Sequence, residues 1–192
     1  RSKVIIFHQI DQIDKNHMAY HMTTCLKILG NLNVDKLHKS FSDIISRYEI
    51  LRTQFIVENQ EFYQVIKKDG IVDFQVIENY EKTEKELIKE FVKPFDINRL
   101  PLIRMQVVIQ KIDYLLLIDK HHIISDMVSN NMFIQELACL YNDNSLKVVD
   151  RQYKDYSEWM RNRDFSTQRN FWINEFKNDI PIVNIPTDYN KK

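Results

Sequence analysis

Only two glycines, Gly30 and Gly70, occur in the 192 residues, and neither has a neighbouring glycine. A phosphate-cradling loop or a dinucleotide fingerprint needs several at short fixed spacings, so both are excluded. The two cysteines, Cys25 and Cys139, lie far apart with no C-x-x-C pair. Neither a zinc knuckle nor a disulfide framework is indicated, and reduced thiols in the cytoplasm are the simplest expectation. Long apolar runs are also missing. Leu115-Leu116-Leu117-Ile118 is typical of the longest, and Arg1-Ser2-Lys3 is followed by only four apolar residues before His8. Neither a membrane span nor a secretory signal is expected. Charge of one sign is lacking too, since 27 Lys+Arg balance 27 Asp+Glu. That balance gives no electrostatic reason to expect nucleic acid or an anionic membrane as partner.

What is present is a chain with 44% hydrophobic residues, long enough to bury roughly 70% of its unfolded surface without a staple. Its hydrophobic period switches repeatedly between two and 3.6, with no internal repeat, which predicts a mixed α/β domain of the α+β type. Asn33 precedes Leu37, Phe41, Ile44, Ile45 and Tyr48 at helical spacing, a capped helix with one apolar face. Runs at 51–57 and 62–67, joined by Glu58-Asn59-Gln60, read as a hairpin. Asp69-Gly70 marks a turn, 71–77 reads as another strand, and Leu87, Ile88, Phe91 and Val92 line a helix that Pro94 ends. Runs 102–109 and 114–118 predict a second hairpin. The later run is almost continuously apolar, as a central strand buried on both faces would be. A helix from about Asp126 carries Val128, Met132, Phe133, Leu137, Leu140 and Tyr141 at helical spacing. Two more are expected at 153–163 and 167–177, the second with Ser166 as cap and Phe171, Trp172 and Phe176 as its buried side. Prolines break the pattern beyond 179, as in a linker.

The central run leads straight into Lys120-His121-His122, so the histidine pair sits on a strand-to-helix connection. Histidine takes and gives a proton near neutral pH, which makes this the first place to look for chemistry. Neighbours on an extended segment point to opposite sides, so one histidine faces a given cavity while the other is packed as structure. Asp126, at the start of the next helix, can satisfy free backbone N–H groups or pair with a cation. Spacing alone favours structure over catalysis for such a pair. A Ser125-His122-Asp126 triad is excluded because the three share one short turn. Adjacent histidines rarely hold one metal ion, and His8, His17, His21 and His38 supply no defined further ligands, so no metal is expected.

The segment from His121 to Ser129, HHIISDMVS, resembles the HHxxxDG signature of condensation domains in nonribosomal peptide synthetases, members of the chloramphenicol acetyltransferase-like superfamily. Other motifs stand around it in the family's order. RYEILRTQF from Arg47 is similar to RHExLRTxF, with Tyr48 in place of His, and PFDINRLPLIR from Pro94 is similar to PFDLxxxPLxR. YKDYSEW from Tyr153 resembles YxDFxxW, and Phe171-Trp172 followed by Ile185-Pro186-Thr187-Asp188 resembles the YW…LPTD run. Residues 5–14 are similar only to the end of the first motif, SxAQxRLWFL.

The resemblance implies a chloramphenicol acetyltransferase-like lobe, a mixed sheet flanked by helices. Residues 1–178 would form the N-terminal lobe and 179–192 a linker toward a C-terminal lobe whose motifs are absent. The implied reaction is peptide-bond formation between substrates on the 4′-phosphopantetheine arms of donor and acceptor peptidyl carrier proteins. Neighbouring synthetase domains are further partners, and no cofactor is bound directly. His122 would orient the acceptor amine and take its proton or position it, with His121 as the packed structural partner. Asp126 would pair with an arginine, Arg47 first and Arg52 second, while Ser125 and Met127 would line the substrate channel. Trp159, Trp172, Phe171 and Tyr156 are expected in core and interlobe packing.

Met127 stands where the family has glycine, and its side chain would narrow the channel or remove backbone freedom that only glycine has. The substitution motivates a second reading, a non-catalytic condensation-like module that binds carrier or tailoring proteins. A third, ranked lower, is a lobe of an epimerisation domain, which shares the double histidine. Ester-forming acyltransferases share the fold as well, so the fold does not arbitrate. Activity of an isolated lobe stays open, because the active site lies between two lobes.

Overall fold

The computed structural model describes residues 18–178 other than 60 and 80, together with residue 180. The expectations for residues 5–14 and for the linker, residue 180 apart, lie outside the described residues. The chain divides into two units, Arg1–Tyr153 and Lys154–Lys192.

In the first unit the elements run β1 (His21–Leu29), α1 (Val34–Arg47), a 3₁₀ turn (Glu49–Arg52), β2 (Thr53–Glu58), β3 (Glu61–Ile66), β4 (Phe74–Glu78), α2 (Glu84–Phe91), β5 (Ile103–Ile109), β6 (Asp113–His121) and α3 (Met127–Tyr141). Strands β1-β6-β5-β4 form one sheet in that order, while β2 and β3 form a separate two-stranded hairpin. β4 runs parallel to β5 and the other pairs are antiparallel, so the sheet is mixed, as the sequence implied.

The central strand is β6, the almost continuously apolar run, and it is buried along nearly its whole length. Leu116 and Ile118 share a core with Leu37, Phe41, Ile44 and Ile45 of α1 and with Phe133 and Leu137 of α3. Leu115 and Leu117 on the opposite face pack with Leu87 and Phe91 of α2. Helices therefore cover both faces. α1, α2 and α3 each start where the sequence supplies a cap. Asn33 accepts the Lys36 N–H at 2.9 Å, and Thr83 with Glu86 makes a reciprocal capping box. Gly70 is required by a close approach. A Cβ there would lie 2.2 Å from Ile45 Cγ2, inside the core face of α1.

Two local expectations are corrected, and one strand was missed. Residues 49–52 form a 3₁₀ turn, not the start of a strand, because Thr53 Oγ1 and the Leu51 N–H bond back to the Glu49 and Tyr48 carbonyls. β4 starts at Phe74, not at 71. β1 was not anticipated. Its burial does not alternate cleanly, which is the pattern of an edge strand paired on one side only.

The second unit contains α4 (Tyr153–Asn162), which straddles the division, and α5 (Ser166–Glu175). Phe171, Trp172 and Phe176, expected to be the buried side of α5, are about half exposed. Phe171 instead meets Trp172 edge-on at 5.2 Å, and Trp172 stacks on Phe176 at 5.7 Å between ring centroids. Two short helices do not enclose enough volume to bury three large rings. Ser166 is the first helical residue, not the cap, and its N–H and hydroxyl both donate to the Asp164 carboxylate.

Candidate active site

The histidine pair is placed by the sheet. β6 continues past its last ladder pair, His21 with His121, so that the His122 N–H donates to the Tyr20 carbonyl at 2.8 Å while the His121 N–H donates to Leu102 at 3.0 Å. Residues 122–126 then turn the chain, and α3 returns along the sheet. His121 is only 2% exposed. Its Nδ1 accepts the Ile123 N–H at 3.0 Å, so the neutral ring carries its proton on Nε2. His122 is half-buried, and its Nδ1 is buried without a hydrogen-bond partner among the described residues.

A buried polar group beneath the pair escaped the sequence reading. Asp119, wholly buried, lies 2.8 Å from His21 Nδ1 through Oδ2 and accepts the Thr23 hydroxyl at 3.1 Å. A carboxylate only accepts, so His21 Nδ1 carries the proton. Arg104 Nε stands 3.7 Å from the same carboxylate, and its guanidinium lies 3.8 Å over the Phe95 ring. Burial pushes the Arg104 pKa below its ordinary value, opposed by the charge of Asp119. Phe95 stacks on His21 at 5.0 Å and meets His121 edge-on at 6.3 Å. His121, Asp119, His21 and Arg104 thus brace the end of β6 through one aromatic ring. The signal was present, since Arg104 and Asp119 are opposite charges set in two apolar runs, and the β5–β6 register pairs them.

Asp126 caps α3. Its Oδ1 accepts the Ser129 N–H at 2.8 Å and the Ser129 hydroxyl at 2.5 Å. The arginines expected to pair with it are committed elsewhere, which corrects that assignment. Arg47 Nε lies 3.4 Å from Glu136, whose carboxylate also accepts the Tyr48 hydroxyl at 2.8 Å, and Arg52 lies 3.8 Å from Glu49. The residues are close in sequence to the acids they meet or share a helix pair with them, whereas Asp126 is held by its own helix end. Ser125 is buried with its hydroxyl donating to the Asp126 carbonyl at 3.4 Å. Met127 is 71% exposed. Asn59 and Asp143 are the non-glycine residues with positive φ among those described, so Met127 sits on an ordinary helical backbone. The expected loss of glycine-only freedom does not arise there, and what Met127 contributes is an exposed side chain in the first turn of α3.

Two other groups bear on the chemistry. Burial, with Glu84 alongside, pushes the Cys25 thiol up to about 11, so it offers no thiolate near neutral pH. Lys120, 1% exposed, has its Nζ 4.2 Å over the Phe133 ring and no hydrogen-bond partner among the described residues. Burial alone pushes its pKa down to about 8. Among the described residues, no three His, Cys, Asp or Glu side chains gather as a metal site requires. No described helix is long and apolar enough to cross a membrane.

The family model for the condensation domain matches residues 6–192. This chain belongs to the condensation-domain family. Among curated relatives, the condensation chain is 37% identical over 185 residues to bacitracin synthase 2 of Bacillus licheniformis, covering 94% of this chain and 7% of the relative. It is 37% identical over 187 residues to gramicidin S synthase 2 of Brevibacillus brevis, covering 94% and 4%. The starter condensation domain of rhizomide synthetase superposes with a TM-score of 0.80 at 15% identity, over 93% of this chain and 47% of that one. The X-domain in complex with OxyB from teicoplanin biosynthesis gives 0.77 at 23%, over 93% and 43%. The condensation chain therefore spans a small fraction of its synthetase relatives and under half of these solved domains.

Proposed function

We propose that this chain is the histidine-bearing, N-terminal lobe of a condensation domain that joins a donor acyl or peptidyl thioester to an acceptor aminoacyl amine. On this reading residues 1–178 form the lobe and 179–192 lead to its companion. Both substrates arrive on 4′-phosphopantetheine arms of carrier proteins, within a cytoplasmic synthetase. The observation that carries the reading is His122, half-exposed at the mouth of a braced strand, in a chain matched by the family model from residue 6 to its last residue.

The amine nitrogen attacks the thioester carbonyl, the C–N bond forms and the C–S bond breaks. The proton lost by nitrogen passes to His122 and then to the departing thiolate, leaving an amide and a free thiol. Alignment of amine and thioester supplies much of the acceleration, since a neutral amine and a thioester already react once held together. His122 adds proton handling near neutral pH. No acyl-enzyme is required. His121, its Nδ1 already occupied by a backbone N–H, is assigned to holding the strand end.

Two alternatives use the same scaffold. The X-domain neighbour binds OxyB, and the epimerisation domain of tyrocidine synthetase superposes with a TM-score of 0.77 at 16% identity. Met127, an exposed side chain where the family motif has glycine, favours the first as a second reading, a docking module with a narrowed channel.

The test is an intact-mass assay on the complete domain with loaded donor and acceptor carrier proteins. Condensed product on the acceptor, lost in His122→Ala, supports the proposal. Carrier binding without product, unchanged by Met127→Gly, supports the docking module, and an inverted donor α-carbon, read by chiral analysis of the hydrolysed thioester, supports epimerisation.

A further inference from the structure

β1 lies at one edge of the sheet, and its first residue begins a chain of contacts that ends in the histidine turn. His21 is the Cα partner of His121. Because His121 donates its backbone N–H to Leu102, on the other side of β6, the two histidines form the close, non-hydrogen-bonded kind of cross-strand pair, with both side chains on one face. The His21 side chain is buried. One edge of its ring is tied, Nδ1 lying 2.8 Å from Asp119 Oδ2, and one face is stacked on Phe95 at 5.0 Å with the planes 18° apart. Phe95 in turn has the Arg104 guanidinium over its ring and meets the His121 ring at 81°, with centroids 6.3 Å apart. Rings gripped in this way, by an edge and a face in a close-packed interior, have no room to turn.

The last link is polar. His121 Nδ1 accepts the Ile123 N–H at 3.0 Å, and the His121 carbonyl accepts the Ile124 N–H at 3.1 Å. The turn that carries His122 is therefore closed by the residue that Phe95 holds. An imidazole accepts through Nδ1 only while its proton stays on Nε2 and its ring plane faces the donor. A flipped ring would set a C–H against the Ile123 N–H and leave that donor without its acceptor. We propose that His21 is a positioning residue for the candidate active site, its stacked ring fixing Phe95 against His121 and so fixing the turn that presents His122. Histidine suits the place because it joins a flat ring to an N–H on its rim. The ring passes the constraint on, and the N–H anchors it to the wholly buried Asp119. The consequence for turnover rests on the function proposed above, whereas the consequence for the turn does not.

The test reads the turn in the full 192-residue chain, labelled with nitrogen-15. Two quantities are followed. One is the tautomer of His121, from long-range proton–nitrogen NMR spectra at a pH of about 8, where free imidazoles are neutral. The other is hydrogen exchange of the Ile123 amide, referred to that of Leu117 in the buried middle of β6 as the measure of global unfolding. In the wild type, His121 is expected to be protonated on Nε2 and Ile123 to be protected. His21→Asn keeps a donor for Asp119 but has no ring, and is expected to mix the two His121 tautomers and to speed Ile123 exchange about tenfold beyond any change at Leu117. His21→Phe restores a flat ring and is expected to keep both readings near those of the wild type. In the complete domain, His21→Asn is expected to lower kcat about tenfold with KM unchanged. A wild-type His121 protonated on Nδ1 overturns the proposal without any variant. Ile123 exchange that rises only in step with Leu117, a His21→Phe chain that behaves as His21→Asn, or full turnover in His21→Asn overturns it as well. If the turn responds as expected while the wild-type complete domain makes no product, the positioning of the turn stands and the condensation reading falls.

Discussion

Burying an ammonium without an acceptor disfavours its charged form, and Lys120 shows the consequence in a pKa pushed down to about 8 from an ordinary 10.5. Below pH 8 folded and unfolded chains both carry the charge, and the folded state bears the full cost. Between 8 and 10.5 only the unfolded state keeps the proton, so stability rises with pH across that window. Lys120→Met is therefore expected to raise stability at pH 7 by as much as about 3 kcal/mol. That advantage should shrink as the pH approaches 10.5, the ordinary lysine value. Urea unfolding of both proteins across the window checks it. Asp126 is a milder case. Asp126→Ala removes the cap from Ser129 and is expected to cost about 1 kcal/mol, recovered in Asp126→Asn and measured as a shift in Tm. Truncating Asp119 is expected to cost more, about 3–5 kcal/mol, because Arg104 would lose its buried counter-charge and His21 its hydrogen-bond acceptor. Of these residues the sequence pointed to His121, His122 and Asp126 through an order of motifs, and it misassigned the partner of Asp126. An ion pair between distant residues depends on strand register, which hydrophobic periodicity does not encode.

Elements with a buried face were the legible ones. α1, α2 and α3 declared themselves through apolar residues at helical spacing, such as Leu37, Phe41 and Ile44, and the β5–β6 hairpin through the continuous apolar run Leu115 to Ile118, buried on both faces. β1 did not. As an edge strand it is half-exposed on both faces, and its residues owe their place to pairing with β6. The aromatic residues of α5 misled for the opposite reason, being apolar at helical spacing without a core to enter. The turn before β4 supplies a test at this scale. Gly70→Ala would drive a methyl group into Ile45 Cγ2, on a branched side chain with little room to swing. A loss of about 1–3 kcal/mol in chemical unfolding is expected, and the same Gly70→Ala change made in an Ile45→Ala background should cost far less relative to that background.

At the scale of the whole molecule the two tryptophans are useful, because Trp159 and Trp172 both belong to the second unit and are 54% and 57% exposed. Their emission in the 192-residue chain is expected to lie close to that of solvated indole and to move to the blue when the remainder of the domain is present. An unchanged spectrum would show that these rings are not where the lobes meet. The first unit, with its own sheet, helices on both faces and a braced histidine loop, holds the chemistry assigned to it. Its family membership was legible in the order of five motifs. The most direct measurement of the central claim is a single-turnover rate of acyl transfer from donor to acceptor carrier protein, made on the complete domain and on its His122→Ala form, both shown to be folded. A loss of about a hundredfold or more with carrier binding intact is the expected result. Equal rates in the two proteins would contradict the assignment of His122 to the reacting amine.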